Sequence, residues 1–588
     1  MNKTRSARVR GQIRRSQLIT TYGIGALVAL GDESFMVAGL DSWANGRSGG
    51  LGPELDIHEA RLEHQLGVER FVAPPATESG LDVPVVRFPR WYYCPECRLL
   101  NSHDHFTQSS KNRCSICGVE LVPSRFVIAC SKGHIDDFPY FWWVHGHSRN
   151  DPAEHDLKII SDGRTASLAG IVITCRCGLQ RSMDGAFSRD ALKGFRCWGR
   201  RPWLRQKDSE CDERPRVLQR GASNVWFSVT RSALSIPPWS DGAFRLLDRY
   251  WEAVRNAPED ALPAMLEGMN IARGTAYSVE DLVEAVRQRK DLHDSSSEEA
   301  GDDGEGNLRE AEFEALSHGR RETSPLDQFV CVPALDLDRK TVGRWFSKVM
   351  LVKRLREVRA LTGFSRIQPP DASATSVVAP LFDEDPRCLP AMEVLGEGVF
   401  FELDRERLKR WEEEEVVAAR VAVLDKNYRR RFADLNRAPD RTVSPRLVLV
   451  HTLAHALINQ WALDCGYPAA SLRERLYVSN EYAGLLIYTA SGDCAGSLGG
   501  VVAQATAERL VPSLRAAIAS SAWCSSDPLC IESDPSGTDA LNLAACHACV
   551  LLPETSCEEN NSLLDRALLV GTPEDPTLGF FASLVPVD

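Results

Sequence analysis

No stretch of this 588-residue sequence runs for about 18 consecutive uncharged apolar residues, which argues against transmembrane helices. The basic opening, MNKTRSARVRGQIRRSQLIT, lacks the continuous apolar segment of a secretory leader, so the expected location is cytoplasmic, with no membrane partner. Nucleotide-binding loops are missing too. Gly23 and Gly25 are not followed by the Lys-Ser/Thr of a Walker loop, the three-glycine dinucleotide spacing is absent, and no helicase DExx box stands in a suitable strand context. His451 and His455 stand four apart as in a metalloprotease HExxH motif, but Thr452 occupies the place of the water-activating glutamate, which argues against peptidase chemistry. Excess positive charge is lacking as well. The net charge of -12 argues against nucleic acid coating the whole surface, while leaving room for a local basic groove.

What the chain does have is apolar material, 43% of its residues, enough to bury substantial cores. At this length roughly three to five domains are expected. The expected fold class is α/β in the mixed α+β sense, multidomain, with zinc-ribbon-like modules of four cysteines each. The boundaries read as a mixed domain over 1–90, a zinc-binding region over 91–215 and a helical region over 216–290. An acidic flexible linker over 291–314, a helical and mixed connecting domain over 315–440 and a zinc-binding domain over 441–588 follow. Near the start, Gly23 and Gly25 before ALVAL, and Gly31-Asp32 before SFMVAG, predict a glycine turn, a strand, a tight turn and another strand. In KTVGRWFSKVMLVKRLREVRALTGFSRIQPP, Leu351, Leu355, Val358 and Leu361 recur at helical spacing. They predict a helix whose Arg354, Arg356, Arg359 and Arg366 form a charged outer face. ELDRERLKRWEEEEVVAARVAVL predicts another exposed helix, held by opposed charges. DLHDSSSEEAGDDGEGNLREAEFE has too few apolar residues for a core and predicts the linker.

Eighteen cysteines in short-spaced groups, in a chain without an evident export signal, point to thiolate metal sites rather than disulfides. Two CxxC knuckles, Cys94 with Cys97 and Cys114 with Cys117, are sixteen residues apart. Two such turns present four thiolates tetrahedrally to one zinc ion, in a closed site with no catalytic position. Cys175, Cys177, Cys197 and Cys211 form a second candidate set, with Cys130 and His134 as alternative ligands. In LNLAACHACVLLPETSCEENNSLLDR, Cys546, Cys549 and Cys557 crowd together with His547 and Glu558, an arrangement open to a metal cage, a redox pair or a nucleophile with its base. With Cys524 and Cys530 upstream, the preferred tetrahedron is Cys530, Cys546, Cys549 and Cys557, leaving Cys524 buried or as the alternative ligand. His547, between two knuckle ligands, would point away, which weakens the nucleophile reading. The expected cofactor is Zn(2+), two or three ions per chain.

KGFRCWGRRPWLR is the best local nucleic-acid signal. Lys193, Arg196, Arg200, Arg201 and Arg205 supply charge for phosphates, and Trp198 and Trp203 supply flat stacking faces. Solvation of the fold or contact with the acidic segment accounts for the same residues equally well. The stretch from His134 to Trp143 reads as an aromatic core anchored by Asp136 and Asp137. These two carboxylates are also the only nominees for the alternative enzymatic class, a metal-dependent nuclease. His451 and His455 are expected to make structural hydrogen bonds. Ser491, Asp493 and Ser497 lie in a turn after a strand, without a legible nucleophile elbow or triad.

Taken together, RRSQLITTYGIGALV, MVAGLDSW, CSKGHIDDFPYFWW, VRALTGFSRIQP, HTLAHALINQWALDCGYPAASLRERLY, IYTASGDCAGSLGG and ACHACVLLPETSCEENNSLLDR resemble the DrmB family of DISARM anti-phage systems, over nearly the whole chain. The part from about 445 to 570 also resembles the MrfA-like zinc-binding domain that ends certain DNA-repair helicases. There four cysteines bind zinc, and the matching set is the one preferred above. The resemblance implies a non-catalytic partner of the DrmA helicase that helps it engage single-stranded or overhanging DNA, in a system that also methylates DNA and restricts incoming phage DNA.

Overall fold

The computed structural model describes residues 11–43, 56–75, 82–106, 112–146, 155–161, 167–204, 210–298, 304–334, 342–370, 378–383, 387–434, 438–489 and 499–584. It is a mixed α/β structure with several sheets, and the chain divides into two compact units. The first comprises 1–58, 68–232 and 359–392, and the second 59–67, 233–358 and 393–588. Among the described residues no helix is long and apolar enough to cross a membrane.

In the first unit the strands Leu27–Leu30 and Glu33–Val37 form the predicted hairpin, with Gly31 at φ +62° opening its turn. The preceding glycines serve packing. A Cβ on Gly25 would stand 2.5 Å from the Phe364 ring, and the Gly25 carbonyl accepts a bond from the buried Arg366 guanidinium at 2.9 Å. A six-stranded antiparallel sheet follows, in the order Gln180–Ser182, Ile171–Cys175, Leu157–Ser161, Leu99–Ser102, Trp91–Tyr93 and Val122–Pro123. A three-stranded sheet has Phe126–Ala129 at its centre, between Ile135–Asp137 and Arg216–Gln219. Phe126, Phe138, Tyr140 and Trp143 share one buried cluster, so the stretch after Asp137 is an aromatic core.

In the second unit the helix Pro445–Cys465 is the axis of the largest core. Its apolar residues from Leu447 to Trp461 are buried against the strands Leu472–Val478 and Ala483–Thr489 and the helix Ala507–Ser521. Ser444 caps its start by accepting from the Leu447 amide, Pro445 fits the first turn where no amide partner is needed, and Gly466 at φ +70° ends it. The helices Arg405–Glu412 and Glu415–Asp434 stand where a charged helix was expected. The second buries Val417, Val421, Leu424, Tyr428 and Phe432, so only part of its surface is exposed.

Two expectations fail. Residues read as an arginine-faced helix form the strand Phe346–Ser365, and Arg356, Arg359 and Arg366 are buried. A strand covered on both faces shows no simple alternation, and its leucines and valines fell by chance at helical spacing. Arg356 lies between Glu59 at 3.4 Å and Glu393 at 2.9 Å, partners remote in sequence. The acidic segment is no open linker over its described part. Helices span Val279–Glu298 and Gly304–His318, and the second buries Leu308, Phe313 and Leu316. Buried Glu312 accepts from Arg475 at 2.7 and 2.8 Å. Average composition hid an apolar stripe at helical spacing.

Candidate metal centres

Five clusters of metal-ligating side chains stand among the described residues, the donor atoms of each within 4.8 Å of one another. Zinc at about 2.3 Å from each of four thiolates would set the sulfurs roughly 3.8 Å apart, and a thiolate–imidazole pair roughly 3.5 Å apart. Those edges test each cluster.

The first unit holds three. Cys94 follows the strand Trp91–Tyr93, Cys97 precedes Leu99–Ser102, and Cys114 and Cys117 come from the second knuckle; Cys97 and Cys114 sulfurs are 3.9 Å apart. The second and third correct the expected set of Cys175, Cys177, Cys197 and Cys211. Cys197 and Cys211 join Cys130 and His134, whose sulfur and Nδ1 are 3.4 Å apart. Cys175 and Cys177 instead join His145 and His155, at 3.3 Å from His155 Nδ1 to Cys175 and 3.4 Å from His145 Nε2 to Cys177. The physical reason is topological. Cys175 ends a strand of the six-stranded sheet beside Leu157–Ser161, which brings up His155, whereas Cys130 follows a strand of the three-stranded sheet. His145 Nδ1 lies 2.9 Å from the Phe141 carbonyl, which selects the tautomer that donates there and leaves Nε2 as a ligand.

The fourth cluster, in the second unit, is Cys524, Cys530, Cys546 and Cys549. Its sulfur separations of 3.5, 3.6 and 3.8 Å match the edges of a thiolate tetrahedron. This corrects the set that included Cys557. Cys524 is drawn in because its own amide and that of Ile531 donate to Asp527, closing the turn that carries Cys524 and Cys530. Cys557 belongs to the fifth cluster, with His451, His455 and Glu474.

Donor chemistry suits a cation. Bonding to Cys197 and the nearby His134 bring the Cys130 thiol down to about 4, although burial opposes this. Burial raises Cys546, but the Ala548 amide and the neighbouring thiols outweigh it and bring the group down to about 7. One sulfur in each of these two sets is thus poised as a thiolate, the form that binds metal. All the cysteines in these clusters are free of disulfides. Zinc fits the residues present: thiolate-rich sets with four donors at tetrahedral spacing.

The candidate nucleic-acid residues are not all on one surface. Lys193, Arg196 and Trp198 are exposed, and Arg200 pairs with Asp136 at 3.2 Å while lying 5.0 Å from the Trp198 ring. Arg201 is partly buried. Trp203 is fully buried, its indole N–H donating to the Pro380 carbonyl at 2.8 Å and its ring edge-on to Phe364, so it offers no face to a base. Arg205, Ser491, Asp493 and Ser497 lie outside the described residues. Asp137 accepts from the Arg90 and Trp91 amides, and burial, aided by Asp136, raises it to about 7. Neither aspartate joins a metal cluster among the described residues.

Comparison with known proteins adds a family context to this geometry. Residues 14–227 match a family described as a domain of unknown function (DUF8724), and residues 453–550 match the MrfA Zn-binding domain. The latter span contains all four ligands of the Cys524 cluster. A protein of Bacillus paralicheniformis named "DISARM protein DrmB" is 30% identical over 576 residues, covering 94% of this chain and 99% of that protein.

Proposed function

Because the chain belongs to the DrmB family of DISARM anti-phage systems, we propose that it is a non-catalytic helicase-accessory subunit. It forms a complex with the DrmA helicase and helps it engage single-stranded or overhanging DNA. The observation that carries this reading is the likeness to a DISARM DrmB protein along almost the full length of both chains. The lack of a Walker loop and of a DExx box supports leaving ATP hydrolysis to the partner.

Zinc is the cofactor, held by Cys94, Cys97, Cys114 and Cys117; by Cys130, His134, Cys197 and Cys211; by His145, His155, Cys175 and Cys177; and by Cys524, Cys530, Cys546 and Cys549. Four protein ligands leave no position for a reacting water, so these sites would stiffen the surfaces that meet DNA and helicase. Lys193, Arg196 and Trp198 are the exposed part of the DNA-contacting stretch, with charge for phosphates beside a stacking ring. Cys197 between them ties the stretch to the second zinc set.

Co-expression with the DrmA helicase tests the reading. A stable complex is expected, with ATPase activity that depends on the helicase. Failure to associate, or ATP hydrolysis by the rigorously purified chain alone, would overturn it.

A further inference from the structure

The fifth cluster is made by three separate segments of the second unit. His451 and His455 are one turn apart on the helix Pro445–Cys465, Glu474 lies on the strand Leu472–Val478, and Cys557 comes from the loop that follows the fourth cluster. Both histidines and Glu474 have no exposed surface, and Cys557 is buried. Such a group must be balanced internally, because water does not reach it.

Hydrogen bonding shows what is unbalanced. His455 Nδ1 lies 2.7 Å from the Val550 carbonyl, so Nδ1 carries the proton and Nε2 presents a lone pair. That lone pair faces Glu474 Oε2 at 3.5 Å, another acceptor, and neither atom has a hydrogen-bond partner among the described residues. Cys557 Sγ accepts from the amides of Glu559 at 3.3 Å and Asn561 at 3.2 Å. Glu474 Oε1 accepts from the Glu558 amide at 3.0 Å. A carboxylate, an imidazole lone pair and the Cys557 sulfur therefore converge in a closed, dry space.

The distances come within a few tenths of an ångström of those around a bound cation. His451 Nε2 is 3.2 Å from both Cys557 Sγ and Glu474 Oε1. Tetrahedral zinc with its usual bonds to nitrogen, oxygen and sulfur would set such pairs roughly 3.3 to 3.6 Å apart. We infer that His451, His455, Glu474 and Cys557 hold a zinc ion, forming a second metal centre in this domain, distinct from the Cys524 cluster. Its donors are two imidazole nitrogens, a carboxylate oxygen and a thiolate. The matched MrfA Zn-binding span, 453–550, leaves out both His451 and Cys557, so the zinc in that family's name is accounted for by the four cysteines. Two histidines and a carboxylate alone would suit iron with open positions, but Cys557 fills the fourth direction and burial excludes a substrate. The ion fastens helix, strand and loop together, and its two positive charges offset Glu474 and the thiolate.

Zinc content of the full chain, measured by elemental analysis, tests this. Cys557→Ala combined with His455→Ala is expected to lose one equivalent relative to the parent; Cys549→Ser loses a different one, and the triple variant loses both. Unchanged zinc in the folded double variant would overturn the site. Anomalous scattering from crystals of the unaltered chain, above and below the zinc edge, decides the matter should the variants fail to fold. A peak is expected about 2.0 to 2.3 Å from the four donor atoms. Absence of that peak, or a peak at the iron edge instead, overturns the assignment, while the Cys524 cluster reports separately on the thiolate sites.

Discussion

Glu312→Gln removes one charge from a closed network and leaves its shape. Glu312 lies in the helix Gly304–His318, fully buried, and takes two bonds from Arg475 at 2.7 and 2.8 Å. It also accepts from the Leu234 amide at 2.9 Å and from the Tyr477 hydroxyl at 3.2 Å. The glutamine oxygen keeps one acceptor, but Arg475, also buried, loses its closest counter-charge; Glu558 and Glu357 stand farther off, at 3.9 and 4.0 Å. Breaking a buried pair from one side costs about 3–5 kcal/mol, and the two residual carboxylates favour the lower end. Glu312→Leu with Arg475→Met should recover much of the loss, since an apolar pair of similar volume needs no compensation. The direction with pH follows from Glu312 being held below its ordinary 4.5, because its arginine neighbours outweigh burial. Its contribution is fully present above that value and is lost as pH falls through the lower folded value. Urea denaturation of parent, single and double variants measures all three quantities. A single variant within about 0.5 kcal/mol of the parent would refute the docking of this helix and restore the reading of an open linker.

Three further outcomes are expected. Cys549→Ser should release one zinc equivalent and destabilise the C-terminal domain by several kcal/mol, read by elemental analysis and thermal unfolding, because metal binding and folding are linked. Trp203→Ala should cost about 3–5 kcal/mol as a core truncation, whereas exposed Trp198→Ala should leave the melting temperature nearly unchanged and weaken single-strand binding. Asp137→Asn retains an oxygen for the Arg90 and Trp91 amides. Because the Asp137 folded value is raised to about 7 from 3.8, its favourable contribution is fully present only below 3.8 and is lost as pH rises to about 7, so the variant should gain most stability over the parent at pH 8, less at pH 5 and little near pH 3.

The sequence disclosed what is local. Cys94, Cys97, Cys114 and Cys117 lie in two tight turns, and the structure brings the four sulfurs together. The Leu27–Val37 hairpin was legible from Gly31 and flanking apolar runs. Where ligands come from different sheets, spacing misled. Cys197 is nearer in sequence to Cys177 than to Cys130, yet sheet topology sends it to Cys130. His451 and His455 were visible as a pair on one helical face, but nothing local tied them to Glu474 or Cys557. Glu474 stands between Arg473 and Arg475 in the strand Leu472–Val478, where a glutamate reads as ordinary surface charge. The strand Phe346–Ser365 was missed for the same reason as Glu312: its charged residues are paired with groups distant in the chain, and charge in a sequence reads as exposure until the partner is known.

Whether this chain helps a helicase hold DNA is decided by affinity for a single-strand-overhang duplex over a salt series, for the DrmA helicase alone, this chain alone and the two together. The complex is expected to bind more tightly than the helicase alone. Neutralising Lys193 and Arg196 should lower that affinity alike across DNA sequences and reduce the salt slope by about 1–2. Equal affinity of the helicase with and without this chain, in a preparation where the two co-purify, would contradict the accessory role.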